Sequence, residues 1–163
     1  MENKILKIEK LLNATPANVF EAFSRKESLA KWWGPAEASI DVLKLNFRNG
    51  GEFHYKMTGQ MIYYGIFKYV EINEPESIVW KNSFANSEGE IVKAPFEGFD
   101  FPKEVLNKVT FKEKAGKTLM TMTSEPINAS ESEINCFYSI FDNMIEGTNA
   151  MLGNLEKFVE NKG

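Results

Sequence analysis

The sequence is poorest in the residues that make covalent and metal chemistry easy. It holds one cysteine, Cys136, and one histidine, His54. An internal disulfide is therefore impossible, and a zinc site of the usual multi-Cys/His kind is excluded. Basic residues are outnumbered, 19 Lys and Arg against 23 Asp and Glu, a net charge of −4. Gripping a phosphate backbone needs a basic face, so nucleic acid is not an expected partner. No apolar run approaches the ~20 residues of a membrane span. The start, Met1-Glu2-Asn3-Lys4, lacks the basic-then-apolar layout of a signal peptide, which makes the cytoplasm the expected location. No serine or cysteine stands in a nucleophile elbow, and no Gly-rich phosphate loop precedes a helix. Neither a metal nor a cofactor is expected.

What remains is a chain of 163 residues, 43% hydrophobic and 26% charged, the balance of one globular domain spanning 1–163. Its one excess is aromatic: 13 Phe, 5 Tyr and 3 Trp. So much ring area either packs an unusually aromatic core or lines a concavity.

Hydrophobic periodicity divides the chain cleanly. Residues 3–12 largely alternate, as a half-buried strand does. Thr15-Pro16 starts a helix that carries Val19, Phe20 and Phe23 on one face. Ser24-x-x-Glu27 has the pattern of a capping box and predicts a second short helix through Leu29, Trp32 and Trp33, ending at Gly34-Pro35. Strands are then predicted over 38–47, 52–58, 61–72, 77–84, 105–113 and 117–124. Short turns link all neighbours, with a hairpin at Asn49-Gly50-Gly51, so the sheet should be an antiparallel meander. The stretch 85–104 has no clear period but carries Phe96, Phe99 and Phe101; it is either a surface excursion anchored by its rings or a lid. From the capping box Ser130-x-x-Glu133 onward the period becomes 3.6, predicting one helix of about 29 residues and roughly 43 Å.

A long amphipathic helix needs a large apolar surface to cover, and six to seven strands supply it. The expected fold is α+β: a curved antiparallel sheet wrapped around the C-terminal helix, with two short helices after the first strand. A curling sheet and a straight helix cannot touch along their whole length, so a cavity between them is expected. Alternation groups Phe53, Tyr55 and Met57 on one face, and Tyr63, Phe67 and Tyr69 on one face with Gly65. It does not say which face is inside. If the aromatic face points inward, His54 faces solvent. On the last helix the apolar arc centres near Phe141, Thr148 and Leu155, which puts the Thr148 hydroxyl in an apolar stripe. Thr148 either bonds back to its own helix or orients a ligand. Gly147 allows close approach or opens volume. Trp33, Trp80, Phe141, Met144 and Met151 complete the expected ligand-binding set.

The order of elements, together with Trp32-Trp33-Gly34-Pro35, Arg48-Asn49-Gly50-Gly51-Glu52-Phe53, Pro75-Glu76-Ser77-Ile78-Val79, and Gly147 followed by Leu152, Leu155 and Phe158, resembles one group. It is similar to the activator of heat-shock protein 90 ATPase homologue family (C-terminal-domain type), of the START-like, Bet v 1-like helix-grip (SRPBCC) superfamily. The resemblance implies a single START-like helix-grip domain with a hydrophobic pocket for a small apolar or amphipathic molecule. It also implies a chaperone as an alternative partner, although the eukaryotic namesake uses a further N-terminal domain without counterpart here.

Three functions are thus open: a binding module for a small hydrophobic molecule, a co-chaperone-like interaction domain, and a cyclase- or hydrolase-like enzyme using the same pocket. Catalytic chemistry would fall to Glu71, Asn82, Tyr55 and Thr148, or to an acid pair among Glu97, Asp100 and Glu104. Cys136 reads as a packing thiol. The sequence fits a monomer or a dimer equally.

Overall fold

Alternation in the first strand buries Leu6, Ile8 and Leu12 and turns Lys7, Glu9 and Leu11 outward. The computed structural model describes residues 5–34 and 38–160. Asn3 and Lys4 of the expected first strand, the Met1-Glu2-Asn3-Lys4 start and Pro35 lie outside the described residues. The element order is β1 (Leu6–Leu12), α1 (Pro16–Ser24), α2 (Lys26–Trp32), β2 (Ser39–Leu45), β3 (Glu52–Thr58), β4 (Ile62–Asn73), β5 (Ser77–Ala85), β6 (Ile91–Val92), β7 (Glu104–Lys114), β8 (Lys117–Ile127), α3 (Glu131–Ser139) and α4 (Phe141–Glu160). Every strand pairing is antiparallel. The sheet runs β1-β8-β7-β5-β4-β3-β2, with the two-residue β6 added beside β5. β2 to β8 form the expected meander. β1 joins it at the far side, beside β8, and α1–α2 carry the chain from one sheet edge to the other.

Three turns show how local chemistry sets register. Ala115 and Gly116, at φ 53° and 82°, close the two-residue β7–β8 hairpin, the primed geometry that matches strand twist. The Asn49-Gly50-Gly51 turn is wider than a two-residue hairpin. Only Gly50 is at positive φ, 79°; Gly51 is needed for space, because a Cβ there would collide with the Asn46 carbonyl. The loop is also stitched to β4: Gly50 N–H donates to Tyr69 O at 3.0 Å, and Tyr69 N–H to Gly51 O at 2.9 Å. Register shifts lie between Val42 and Lys44 and between Tyr69 and Glu71. The extra residues, Leu43 and Val70, are thrown outward and are 48% and 47% exposed, which accounts for apolar side chains in solvent.

Two expected helix features are corrected. Ser24 does not cap α2. Its hydroxyl donates to Glu21 O at 3.0 Å, serving a carbonyl left unpaired at the end of α1; Arg25 is the α2 N-cap, without a side-chain cap bond. The C-terminal helix is also not continuous, although the Ser130–Glu133 capping box forms as expected. Ser139 Oγ donates to Cys136 O at 2.7 Å, the carbonyl that the Ile140 N–H would take in an unbroken helix. The Ile140 N–H turns to Tyr138 O instead. α4 restarts with Met144 N–H on Ile140 O at 2.9 Å and runs for 20 residues, about 30 Å.

On the outer face, Glu52 ties three strands together. Its carboxylate lies 2.9 Å from Lys44 on β2 and 2.6 Å from Lys68 on β4. Hydrogen bonds to those two ammonium groups, Lys68 first, hold its carboxyl below its ordinary value of 4.5. A depressed carboxylate stabilises the fold above its unfolded pKa, and this contribution is lost as pH falls through the lower folded value. Glu52→Gln should therefore flatten the loss of thermal stability on acidification below about pH 4.5, read as melting temperature against pH for both proteins. An unchanged acid limb would refute the coupling.

Candidate functional site

β3 decides which face is inside. Phe53, Tyr55 and Met57 are 0%, 5% and 2% exposed, and they point toward the helices. His54 lies on the opposite face but not in solvent, contrary to the expectation. It is buried beneath the β5–β6 turn, with Nε2 3.0 Å from Asn86 O and its ring beside Tyr64. A loop folded over the outer face cannot be seen in the alternation of β3.

The inner face and α4 enclose a hollow of about 400 Å³. α4 packs on β1, α1 and α2, and along its second half Met151, Leu152, Leu155 and Val159 are buried. Over its first half Phe141, Met144, Ile145 and Thr148 are only half-buried. The cavity opens there. Met144, Thr148 and Met151 line it from the helix, Tyr55, Met57 and Tyr63 from β3 and β4, and Trp33 from the end of α2. Gly147 also borders it, and a Cβ at that position would meet no atom within 4 Å. Gly147 therefore opens volume and serves no close approach.

The other expected residues lie behind this wall. Trp80 and Phe67 stack at 4.8 Å, and Phe67 meets Phe53 edge-on at 4.9 Å. Tyr69 packs edge-on against Phe47 at 5.2 Å. Trp80, Phe67, Phe53 and Tyr69 belong to the aromatic core and do not border the cavity. Phe141 stacks on Tyr138 at 5.9 Å, also away from the lining. The aromatic surplus thus does both jobs considered from composition, core and cavity wall.

Sequence reasoning overlooked the far wall: Leu6 on β1, Val105 and Asn107 on β7, Met122 and Ser124 on β8, and Phe137 on α3. A signal was present. Val105-x-Asn107-x-Val109-x-Phe111 and Met120-x-Met122-x-Ser124 alternate, and each puts a polar residue on an apolar face. The two are partners in register, and the Ser124 hydroxyl donates to Asn107 Oδ1. Gly34, at φ 102°, and Ala150 complete the lining.

The segment 93–102 reaches the cavity at Phe101. Phe84, Phe96, Phe99, Phe101 and Phe137 make a continuous chain of ring contacts, and Phe101 and Phe137 face the cavity. Lys93 fastens this segment to the start of α3, 2.6 Å from Glu133 and paired with Asp100. Asp100 also accepts from Ser132 Oγ at 2.7 Å. The carboxylates of the loop therefore do not form an acid pair: Asp100 is held by a lysine, and Glu104 accepts from Asn128 Nδ2 at 3.2 Å. Glu71 is exposed and accepts from Asn73 Nδ2; it too is outside the cavity.

Polar atoms inside are few. Trp33 and Tyr55 meet edge-on at 6.4 Å, and burial pushes the Tyr55 phenol well above its ordinary value. Burial also raises Tyr63. Asn82 Oδ1 is shielded from solvent and has no hydrogen-bond partner. The Cys136 thiol is raised by burial and by Asp100, the opposite of an activated nucleophile. Among the described residues no three His, Cys, Asp or Glu converge as a metal site, and no helix is long and apolar enough to cross a membrane.

Gly65 sets the position of Tyr55. The two face each other across β3 and β4, and a Cβ on Gly65 would strike the end of the Tyr55 ring, with Cε2 at 2.7 Å. Gly65→Ala should displace that ring and cost about 1–3 kcal/mol by urea denaturation. A loss below about 0.5 kcal/mol would show the ring to be free to move.

The family model for activator of Hsp90 ATPase homolog 1-like protein matches residues 13–160. No curated protein matches the chain. Among solved structures, a Staphylococcus epidermidis protein is 27% identical, with a TM-score of 0.79 over 100% of this chain and 93% of its own. Ms6760 from Mycobacterium smegmatis is 24% identical, with a TM-score of 0.75 over 96% and 94%. The AHSA1 protein of Silicibacter pomeroyi is 15% identical, with a TM-score of 0.74 over 98% and 100%. The last two likenesses bear on the fold alone.

Proposed function

Since the chain belongs to the activator of Hsp90 ATPase homolog 1-like family, whose fold suits either ligand binding or chaperone contact, we propose that it binds a small hydrophobic or amphipathic molecule between its sheet and α4. The observation that carries this reading is the 400 Å³ hollow beneath the first half of α4. Its size falls within the ~300–1,000 Å³ range of small-molecule sites. A well-packed domain of this size would leave no such volume unfilled without cost, since interiors are packed as densely as organic crystals. The lining is apolar and aromatic with a handful of polar groups, the usual make-up of a pocket that orients one compound.

Native mass spectrometry of the freshly purified full chain tests the proposal. The expected result is a non-covalent adduct that mild collisional activation removes, together with a rise in melting temperature when neutral apolar compounds are added. A bare chain that no such compound stabilises would overturn it.

A further inference from the structure

The sheet is open, with β1 and β2 at its two edges, and the edges are built differently. The β2 edge is guarded: α2 packs against it, and the bulge between Val42 and Lys44 bends the strand. The β1 edge has neither device. Its seven residues pair with β8 without a register shift, and among the described residues no strand lies on its other side. A regular edge of this kind presents a row of backbone N–H and C=O groups to one more strand.

The outward side chains say which strand fits. Ile5, Lys7, Glu9 and Leu11 are all exposed, and two of the four are large apolar groups left in water, Ile5 at 51% and Leu11 at 46%. The set is self-complementary about Ile8. A second copy of β1 can lie antiparallel to the first, with a two-fold axis through Ile8 and normal to the sheet. Outward residues then stay opposite outward ones. Lys7 falls opposite Glu9 of the second copy, Glu9 opposite its Lys7, and Ile5 and Leu11 are matched in the same way. On the inward face Ile8 falls opposite its own copy and Leu6 opposite Lys10, so no like charges meet. Moving the axis to Lys7 or to Glu9 sets that charge directly against its own copy, which is destabilising. Of these registers, the one centred on Ile8 alone matches charge with opposite charge and apolar with apolar.

We infer that β1 is a self-association edge: two copies of this chain pair antiparallel through residues 5–11, centred on Ile8, and join their sheets into one. The backbone hydrogen bonds supply the attraction, and the two charge pairs choose the register and the partner. The inference is independent of the cavity reading.

Sedimentation equilibrium of the full chain at rising concentration should show a reversible monomer–dimer equilibrium. Lys7→Glu sets glutamate against glutamate twice over by symmetry, and Glu9→Lys sets lysine against lysine. Each should raise the dimer dissociation constant by at least about tenfold. Mixed in equal amounts, the two variants should regain the association, because every charged contact of the heterodimer again joins a lysine to a glutamate. The double variant Lys7→Glu/Glu9→Lys should regain it within one chain. Both residues are exposed, so the melting temperature of each monomeric variant should be close to that of the parent chain, which separates lost association from lost fold. A chain monomeric at every concentration would overturn the inference. A dimer untouched by Lys7→Glu would overturn it too, by placing the contact on another surface, and so would a mixture that stays monomeric.

Discussion

Thr148→Trp is expected to weaken binding of a neutral apolar probe such as biphenyl by at least about tenfold, because an indole in place of a hydroxyl takes up space the guest needs. Thr148 is half-buried and borders the cavity from the first half of α4. That half of the helix is not sealed against the sheet, so the larger ring has room without pushing core residues apart. Thermal unfolding should stay cooperative. Gly153→Ala on the same helix is the matched control. A Cβ there meets nothing within 4 Å, so the change should stabilise α4 by about 0.5–1 kcal/mol and leave affinity untouched. Undiminished binding by Thr148→Trp would place the guest elsewhere.

Trp32→Ala carries the largest expected loss of stability, about 3–5 kcal/mol. Trp32 is 1% exposed. Its indole N–H donates to Ala22 O at 2.8 Å, one of the carbonyls without an intrahelical partner at the end of α1. Its ring meets Phe23 at 4.8 Å and Trp33 at 5.6 Å. Truncation removes ring burial and orphans the carbonyl together. It also loosens Trp33, whose ring in turn packs edge-on against Tyr55 at 6.4 Å. Trp32→Phe keeps most of the ring and loses only the N–H, so about 1–2 kcal/mol is expected. Equilibrium urea unfolding measures both, and a loss below about 1 kcal/mol for the alanine variant would refute the anchoring role.

The elements were legible because local signals agreed with one another. Thr15-Pro16 caps and starts α1 as expected, with the Thr15 side chain accepting from Asn18 N–H at 3.3 Å. Ser130-x-x-Glu133 does the same for α3. Ser24-x-x-Glu27 has the same spacing and fails, because the nearest unpaired backbone group to Ser24 is a carbonyl of the helix it ends. The break at Ile140 was hidden for a similar reason: no Gly or Pro marks it, only a serine hydroxyl competing for one carbonyl. Of the expected cavity residues, Trp33, Tyr55, Met57, Tyr63, Met144, Thr148 and Met151 border the hollow. Phe53, Phe67, Tyr69 and Trp80 share strand faces with them but fall behind the first layer of rings. Period-2 alternation assigns a face; it says nothing of depth.

The order of residues was sufficient for the first two helices, the long strands, the antiparallel pairing and the amphipathic face of the last helix, since each follows from spacing within a few residues. Tertiary structure alone decided that β1 pairs with β8, that a loop buries His54, and that half of α4 stands clear of the sheet. Those outcomes depend on contacts between residues tens of positions apart, where side-chain volume and strand curvature set how closely two surfaces meet.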